Sequence, residues 1–285
     1  MTMRAVLGGM RRRLISSTFQ RRFALGDRGP IVSFTFDDFP RSALTEGGAM
    51  LKSFGARGTF YTAMGLMGSV TELGEQFRQV DLDTLLGDGH ELGHHTLGHV
   101  SCRSSTPDNF IEEVKRGRTA IEKLTGSARP GNFAFPYGEV TLRGKRLVGA
   151  QVASARGIWP GFNGPVVDMN LLRANSLYGD GAECGRVKEL ILENERRRSW
   201  IIFYTHDVRP SPSRYGCTPD LLEFAVSYAA QRGARILPVA DVVAELVSLP
   251  HLMASRSTTA ESEEQQRHGQ PESEPMRIEP AASRK

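Results

Sequence analysis

Apolar residues fall along this chain in two periods. Residues 31–36 (IVSFTF) and 200–205 (WIIFYT) are dense β-branched and aromatic runs, the composition of strands buried on both faces inside a parallel sheet. Between them, apolar positions recur three and four residues apart, the spacing of helices that bury one stripe. Residues 43–54 carry Leu44, Met50, Leu51 and Phe54 at that spacing, and Gly55 ends them. Strand, helix, strand follows at 58–63, so a parallel βαβ unit is predicted at once.

The alternation continues to residue 247. Further strands are predicted at 91–94, 132–138, 151–155, 171–177, 199–208 and 234–237. One helix is predicted after a capping Asp81, with Gly87 and Gly89 beyond its end, and others over 107–124, 141–149, 183–198, 219–232 and 241–247. The helix at 107–124 should bury Ile111, Val114, Ile121 and Leu124. Residues 156–170, rich in Gly, Pro and Asn, read as a long irregular loop, and such loops in compact domains usually serve a function. The pattern fits an α/β barrel or an open doubly wound sheet of seven or eight strands in a single domain.

Composition adds boundaries. The 285 residues, 39% apolar, suffice for one large core, and the net charge of +4 comes from 36 basic against 32 acidic residues. The excess gathers in Arg11, Arg12, Arg13, Arg21 and Arg22, so residues 1–30 read as a solvated basic arm. No later segment interleaves basic and aromatic residues as a nucleic-acid groove would, and no stretch is long and apolar enough to span a bilayer. The short apolar run after the first arginines does not resemble a cleaved leader, which points to the cytoplasm. Cys102, Cys184 and Cys217 show no paired spacing and read as reduced thiols. Residues 251–285 are polar and charged and are expected to be disordered, which leaves 31–250 as the folded domain.

The candidate chemistry lies at the ends of predicted strands. Asp37 and Asp38 stop the first strand just before Pro40, at the carboxyl end where ligands collect in such sheets. Two adjacent carboxylates repel unless a cation or a shared proton separates them. His95 and His99 stand four apart, and a helical turn there would aim both imidazoles at one ion; with a carboxylate they make an open three-ligand site suited to zinc or another first-row divalent ion. His94 should point the opposite way, and His90 reads as a cap or core residue. His206 ends the second long strand and is a core or a catalytic histidine. The bend at 135–138 (FPYG) can turn the Tyr137 amide toward a substrate oxygen.

TFDD (35–38), HTLGH (95–99), FPYG (135–138) and YTH (204–206) resemble, in order, the signatures of the polysaccharide deacetylases, the fourth carbohydrate esterase family, which includes the rhizobial chitooligosaccharide deacetylase. The resemblance spans about 31–249. It implies a distorted (β/α) barrel of about seven parallel strands. It also implies a metal-dependent hydrolase that removes N-acetyl groups from a saccharide containing N-acetylglucosamine. Carried over by position, Asp37 is the general base, Asp38, His95 and His99 hold a divalent ion, zinc first, His206 is the general acid, and the Tyr137 amide binds the oxyanion.

Two positions depart from the family pattern. Its base-orienting arginine is Ala134 here, and the aspartate that supports the acid histidine has no clean counterpart. Arg156, Asp168 and Arg173 are candidate substitutes, with a structural role the competing reading for each. The rival functions are an O-acetyl esterase, a non-sugar amidase, or a catalytically weak saccharide-binding protein that keeps the metal. The expected partner is a saccharide; chain length, linkage and oligomeric state are left open.

Overall fold

The computed structural model describes residues 3–126 and 131–248. At its centre is strand β1, Ile31–Asp37, with every residue buried. Around it lie β2 (Thr59–Thr62), β3 (Glu91–His94), β4 (Asn132–Ala134), β5 (Ser154–Arg156), β6 (Asn175–Ser176), β7 (Trp200–Thr205) and β8 (Arg235–Ile236). Their order is β6-β7-β1-β2-β3-β4-β5, all pairs are parallel, and β8 sits beside the first half of β1. The chain after β5 links the sheet's two outer strands. Leu172 bonds to Ala155 at 2.8 Å, and Asn175 and Ser176 then pair with Phe203 and Tyr204. This is the distorted (β/α) barrel, and it aligns the carboxyl ends of β1, β3, β4, β5 and β7 at one rim.

The alternation of β1 explains why one strand can be wholly buried and still deliver acid. Val32, Phe34 and Phe36 join the cluster that holds Val187, Ile191, Leu221 and Ala225 of the helices Cys184–Arg197 and Pro219–Gln231. The opposite face carries Ser33, Thr35 and Asp37. Ser33 Oγ donates to the Leu237 carbonyl at 2.6 Å and accepts from Trp200 Nε1 at 2.9 Å, and Thr35 Oγ1 donates to the Phe203 carbonyl at 3.0 Å. Each buried hydroxyl is thereby satisfied, as burial of a polar group requires.

Several elements depart from the sequence expectation. Asp81 is not the cap: the helix is Gln79–Gly87, and Asp81 sits in its first turn, where its carboxylate reaches back to the Arg78 amide at 2.8 Å and pairs with Arg41 at 2.8 Å. In the helix Pro107–Thr125, capped by Thr106 and ended by a left-handed Gly126, Phe110 and Gly117 join Val114 and Ile121 on the buried face, while Ile111 and Leu124 lie at its margin. The expected strand at 171–177 shrinks to two residues. The loop 156–170 contains Val166–Asp168, which pairs antiparallel with Arg22–Ala24. The basic segment is correspondingly not a free solvated arm. Met3–Ser17 is helical, Ile15 is buried in the cluster of Phe110 and Phe133, and Lys145 Nζ donates to the Ile15 carbonyl at 2.9 Å. The tail expected to be disordered, 251–285, lies outside the described residues. Among the described residues, no helix is long and apolar enough to cross a membrane.

Candidate active site

Asp37, Asp38, His95, His99, Tyr137 and His206 all line one cavity of about 500 Å³ at the carboxyl rim of the sheet. The backbone that places them is strained. Among the described residues seven non-glycine residues have positive φ, and five of them are here: Asp38 (63°), Phe39 (62°), Thr96 (61°), His99 (55°) and Tyr137 (59°). Side chains larger than glycine cost about 1–3 kcal/mol each in sparsely populated backbone regions, so such clustering marks a site held by its surroundings.

The histidine pair converges, but not by a helical turn. After β3 the chain passes through left-handed Thr96 and His99, and the helix Pro107–Thr125 clamps that loop. Leu97 N donates to the Glu113 carbonyl at 3.1 Å, Gly98 N donates to Glu113 Oε2 at 2.8 Å, and a Cβ on Gly117 would lie 2.7 Å from the Thr96 carbonyl carbon. Gly117 is therefore needed for close approach. His94 leaves on the other face against Phe133, where burial lowers its pKa to about 3; His90 is a core residue whose Nδ1 accepts from the Gly58 amide at 3.0 Å. Cys102 is buried, with its thiol 3.0 Å from the Glu139 carbonyl.

Asp38, His95 and His99 form a group whose ligand atoms lie within 4.8 Å of one another. His99 Nε2 is 3.0 Å and His95 Nε2 3.5 Å from Asp38 Oδ1, yet that buried oxygen has no hydrogen bond of acceptable geometry. His95 Nδ1 donates to the Ala134 carbonyl at 2.7 Å, which leaves its Nε2 lone pair facing the carboxylate. Lone pairs so placed repel unless a cation sits between them, so the residues fit a divalent ion. Burial lowers His95 to about 4, which keeps the imidazole neutral as a ligand must be. Burial opposes the charge on Asp38, but the imidazoles of His99, His95 and His206 outweigh it and hold the carboxyl below its usual range.

Ala134 leaves a gap that the next strand fills. Ala134 and Arg156 are paired across β4 and β5, and the buried Arg156 guanidinium, at the tip of β5, forms an ion pair with Asp37 Oδ1. Burial works against the arginine's charge, but Asp37 beside it outweighs this and raises its pKa. Tyr61 and Tyr204 bracket the guanidinium at 4.9 and 5.2 Å. The other two candidate substitutes do not reach Asp37 or His206. Asp168 pairs with Lys145 at 2.7 Å and accepts from the Arg21 amide, and Arg173 donates to the Pro160 carbonyl at 3.1 Å.

The partner of His206 is a backbone carbonyl. His206 Nδ1 lies 3.1 Å from the Tyr215 carbonyl, which sets the tautomer and frees Nε2. The loop that carries Tyr215 is held by buried Asp207, which accepts from the Ser213 amide at 2.8 Å and pairs with Arg209 at 2.7 Å. At Tyr137, the turn's own hydrogen bonds run from the amides of Gly138 and Glu139 to the carbonyls of Phe135 and Pro136. The Tyr137 amide lies outside them. A Cβ on Gly138 (φ 61°) would fall 2.1 Å from Ile158, so the bend also requires that glycine. Tyr178, Tyr204, Tyr215 and Arg214 also line the cavity; of these, the sequence motifs include only Tyr204, in YTH.

The polysaccharide deacetylase profile matches residues 26–151. No curated protein matches the chain. Among solved structures, the chain is similar to the Bc1960 peptidoglycan N-acetylglucosamine deacetylase at 16% identity and TM-score 0.52, over 78% of this chain and 90% of that one. It is also similar to a family 4 acetyl xylan esterase from Clostridium thermocellum, in complex with a cobalt ion, at 18% identity and TM-score 0.51, over 77% and 93% of the two chains. A Xyl-CE4 domain of a multidomain xylanase from the hindgut metagenome of Trinervitermes trinervoides follows at 16% and 0.50, over 77% and 92%. At these identities the structural matches show the fold, and residues 26–151 of the chain match the polysaccharide deacetylase family.

Proposed function

We propose that this protein is a cation-dependent hydrolase that removes acetyl groups from the N-acetylglucosamine units of a saccharide, with a catalytic domain of 31–250. One observation carries the reading: Asp38, His95 and His99 converge in the same cavity as a carboxylate, Asp37, that a buried arginine engages through one oxygen. A divalent ion held by the three ligands, zinc first among the first-row ions, would acidify water and polarise the acetamide carbonyl.

The chain's own residues supply the remaining chemistry. The ion pair with Arg156 orients Asp37, so that the carboxylate can take the proton of the attacking water. The Tyr137 amide stands at the rim, outside the hydrogen bonds of its turn, where it can donate to the oxygen that gains charge. His206, its Nδ1 occupied by the Tyr215 carbonyl, presents Nε2 to protonate the departing amine. The tyrosines that line the cavity offer ring faces and hydroxyls to a sugar.

The acetyl xylan esterase among the structural neighbours favours one second reading, O-deacetylation at the same site. Acetate release from chitooligosaccharides, from acetylated xylan and from a simple aryl acetamide separates the two enzyme readings and the non-sugar amidase. Asp37→Asn should abolish release from the preferred substrate. Saccharide binding without release of acetate from any substrate by the parent protein would leave only a binding protein.

A further inference from the structure

We propose that a basic groove beside the catalytic cavity binds an anionic group, a carboxylate or a phosphate, carried by the saccharide; the proposal rests on the deacetylase reading above. The groove encloses about 360 Å³ and shares Gly138 and Ile158 with the catalytic cavity, so a single ligand can occupy both. Arg11, Arg12 and Arg103 line it against one carboxylate, Glu139. Four parts of the chain supply this lining: the helix Met3–Ser17, the loop after His99, the turn after β4, and the loop after β5.

The charge there is not internally compensated. Among the described residues no carboxylate pairs with Arg11 or Arg12. Arg103 lies 3.9 Å from Glu139, too far for a hydrogen bond, and Glu139 already accepts from Ser101. Two unpaired guanidiniums and a third only weakly engaged therefore face one concavity, and their planar forks match carboxylate and phosphate oxygens.

The groove is also a built surface rather than a passing conformation of a tail. Ile15 is buried four residues after Arg11, and Lys145 Nζ holds its carbonyl. Half-buried Trp159 lies in the same groove, where an indole face can pack against a sugar ring. Saccharide recognition by the ring and anion recognition by the arginines thus occur side by side, next to the reacting acetamide.

The test compares four ligands of the metal-loaded full chain: chitotriose, chitotriose 1-phosphate, the aldonic acid of chitotriose, and a chitooligosaccharide ending in glucuronate. Calorimetry gives Kd at low and high salt, and acetate release gives KM and kcat. At least one anionic ligand should bind roughly 10- to 100-fold more tightly than chitotriose, the range of a charged hydrogen-bonded contact. The advantage should shrink in salt and disappear in the Arg11→Ala/Arg12→Ala variant, whose melting temperature and kcat on chitotriose stay unchanged. The phosphate and carboxylate arms identify which anion is preferred. Equal Kd for all four, or a preference that survives removal of both arginines, overturns the groove. Tighter anion binding with no acetate released from any ligand would instead overturn the deacetylase reading and leave the groove standing.

Discussion

The contact between Arg156 and Asp37 can be tested quantitatively. Their side chains are 1% and 6% exposed, so solvent scarcely screens the pair. Replacing Arg156 with Met keeps most of its volume between Tyr61 and Tyr204 but strands a buried carboxylate. Breaking a buried ion pair from one side costs about 3–5 kcal/mol, whereas replacing both partners can be nearly neutral. Arg156→Met should therefore lower the unfolding free energy by about 3–5 kcal/mol, roughly 6–20 °C in melting temperature. The double variant Asp37→Asn/Arg156→Met should regain at least half of that. Denaturant titration of the four proteins in the cycle yields the coupling energy, expected at about 2–3 kcal/mol. Turnover supplies the functional half. Arg156→Lys keeps the charge and loses the fork, and kcat should fall about 10- to 100-fold, which is about 1.4–2.8 kcal/mol of barrier. A coupling below about 0.5 kcal/mol, or wild-type kcat in Arg156→Lys, would refute the reasoning.

Three further outcomes are expected. Gly117→Ala gains helix propensity but drives a methyl into the backbone of Thr96, so it should loosen the histidine loop and weaken zinc binding measured by competition with a chelator; unchanged affinity would show that the loop does not depend on this contact. Asp207→Ala releases the loop whose Tyr215 carbonyl holds His206, and should lower kcat about 10- to 100-fold with metal content unchanged. Loss of metal together with kcat would instead indicate collapse of the rim. His90 has its pKa lowered from 6.5 by burial, so the unfolded chain binds the extra proton and this histidine removes stability as pH falls below about 6.5. Denaturant midpoints at pH 7.5 and 5.5 should therefore differ less in His90→Asn, whose amide oxygen can replace Nδ1 as acceptor for Gly58, than in the parent; an equal difference would remove His90 as the cause.

The parts of this site that depend on residue type at a strand tip were legible from the sequence. Asp37 ends an unmistakable buried strand and Asp38 follows it, and His206 follows another such strand, so none of the three needed tertiary information. His95 and His99 were paired on the assumption of a helical turn, and they meet through two left-handed residues instead. A spacing of four suits both routes, and sequence does not tell them apart. Arg156 was the harder case. The predicted strand stopped at Ala155, one residue short, and that residue separates a loop arginine from a strand-tip arginine beside Ala134. The support for His206 had no side-chain signal to find, because a backbone carbonyl provides it. The basic N-terminal segment looked solvated because its arginines dominate its composition, whereas buried Ile15 and Leu25, the Lys145 contact and the Arg22–Ala24 strand pairing hold it to the domain.

The most direct test of the account is acetate release from chitotriose by protein stripped of metal and titrated with zinc. Activity should be absent at the start, rise in proportion to added zinc, and level off at one equivalent per chain, with no recovery in Asp38→Ala. Full acetate release by protein shown to be metal-free, or saturation at a stoichiometry unrelated to Asp38, would contradict the claim that Asp38, His95 and His99 hold the single ion on which hydrolysis depends.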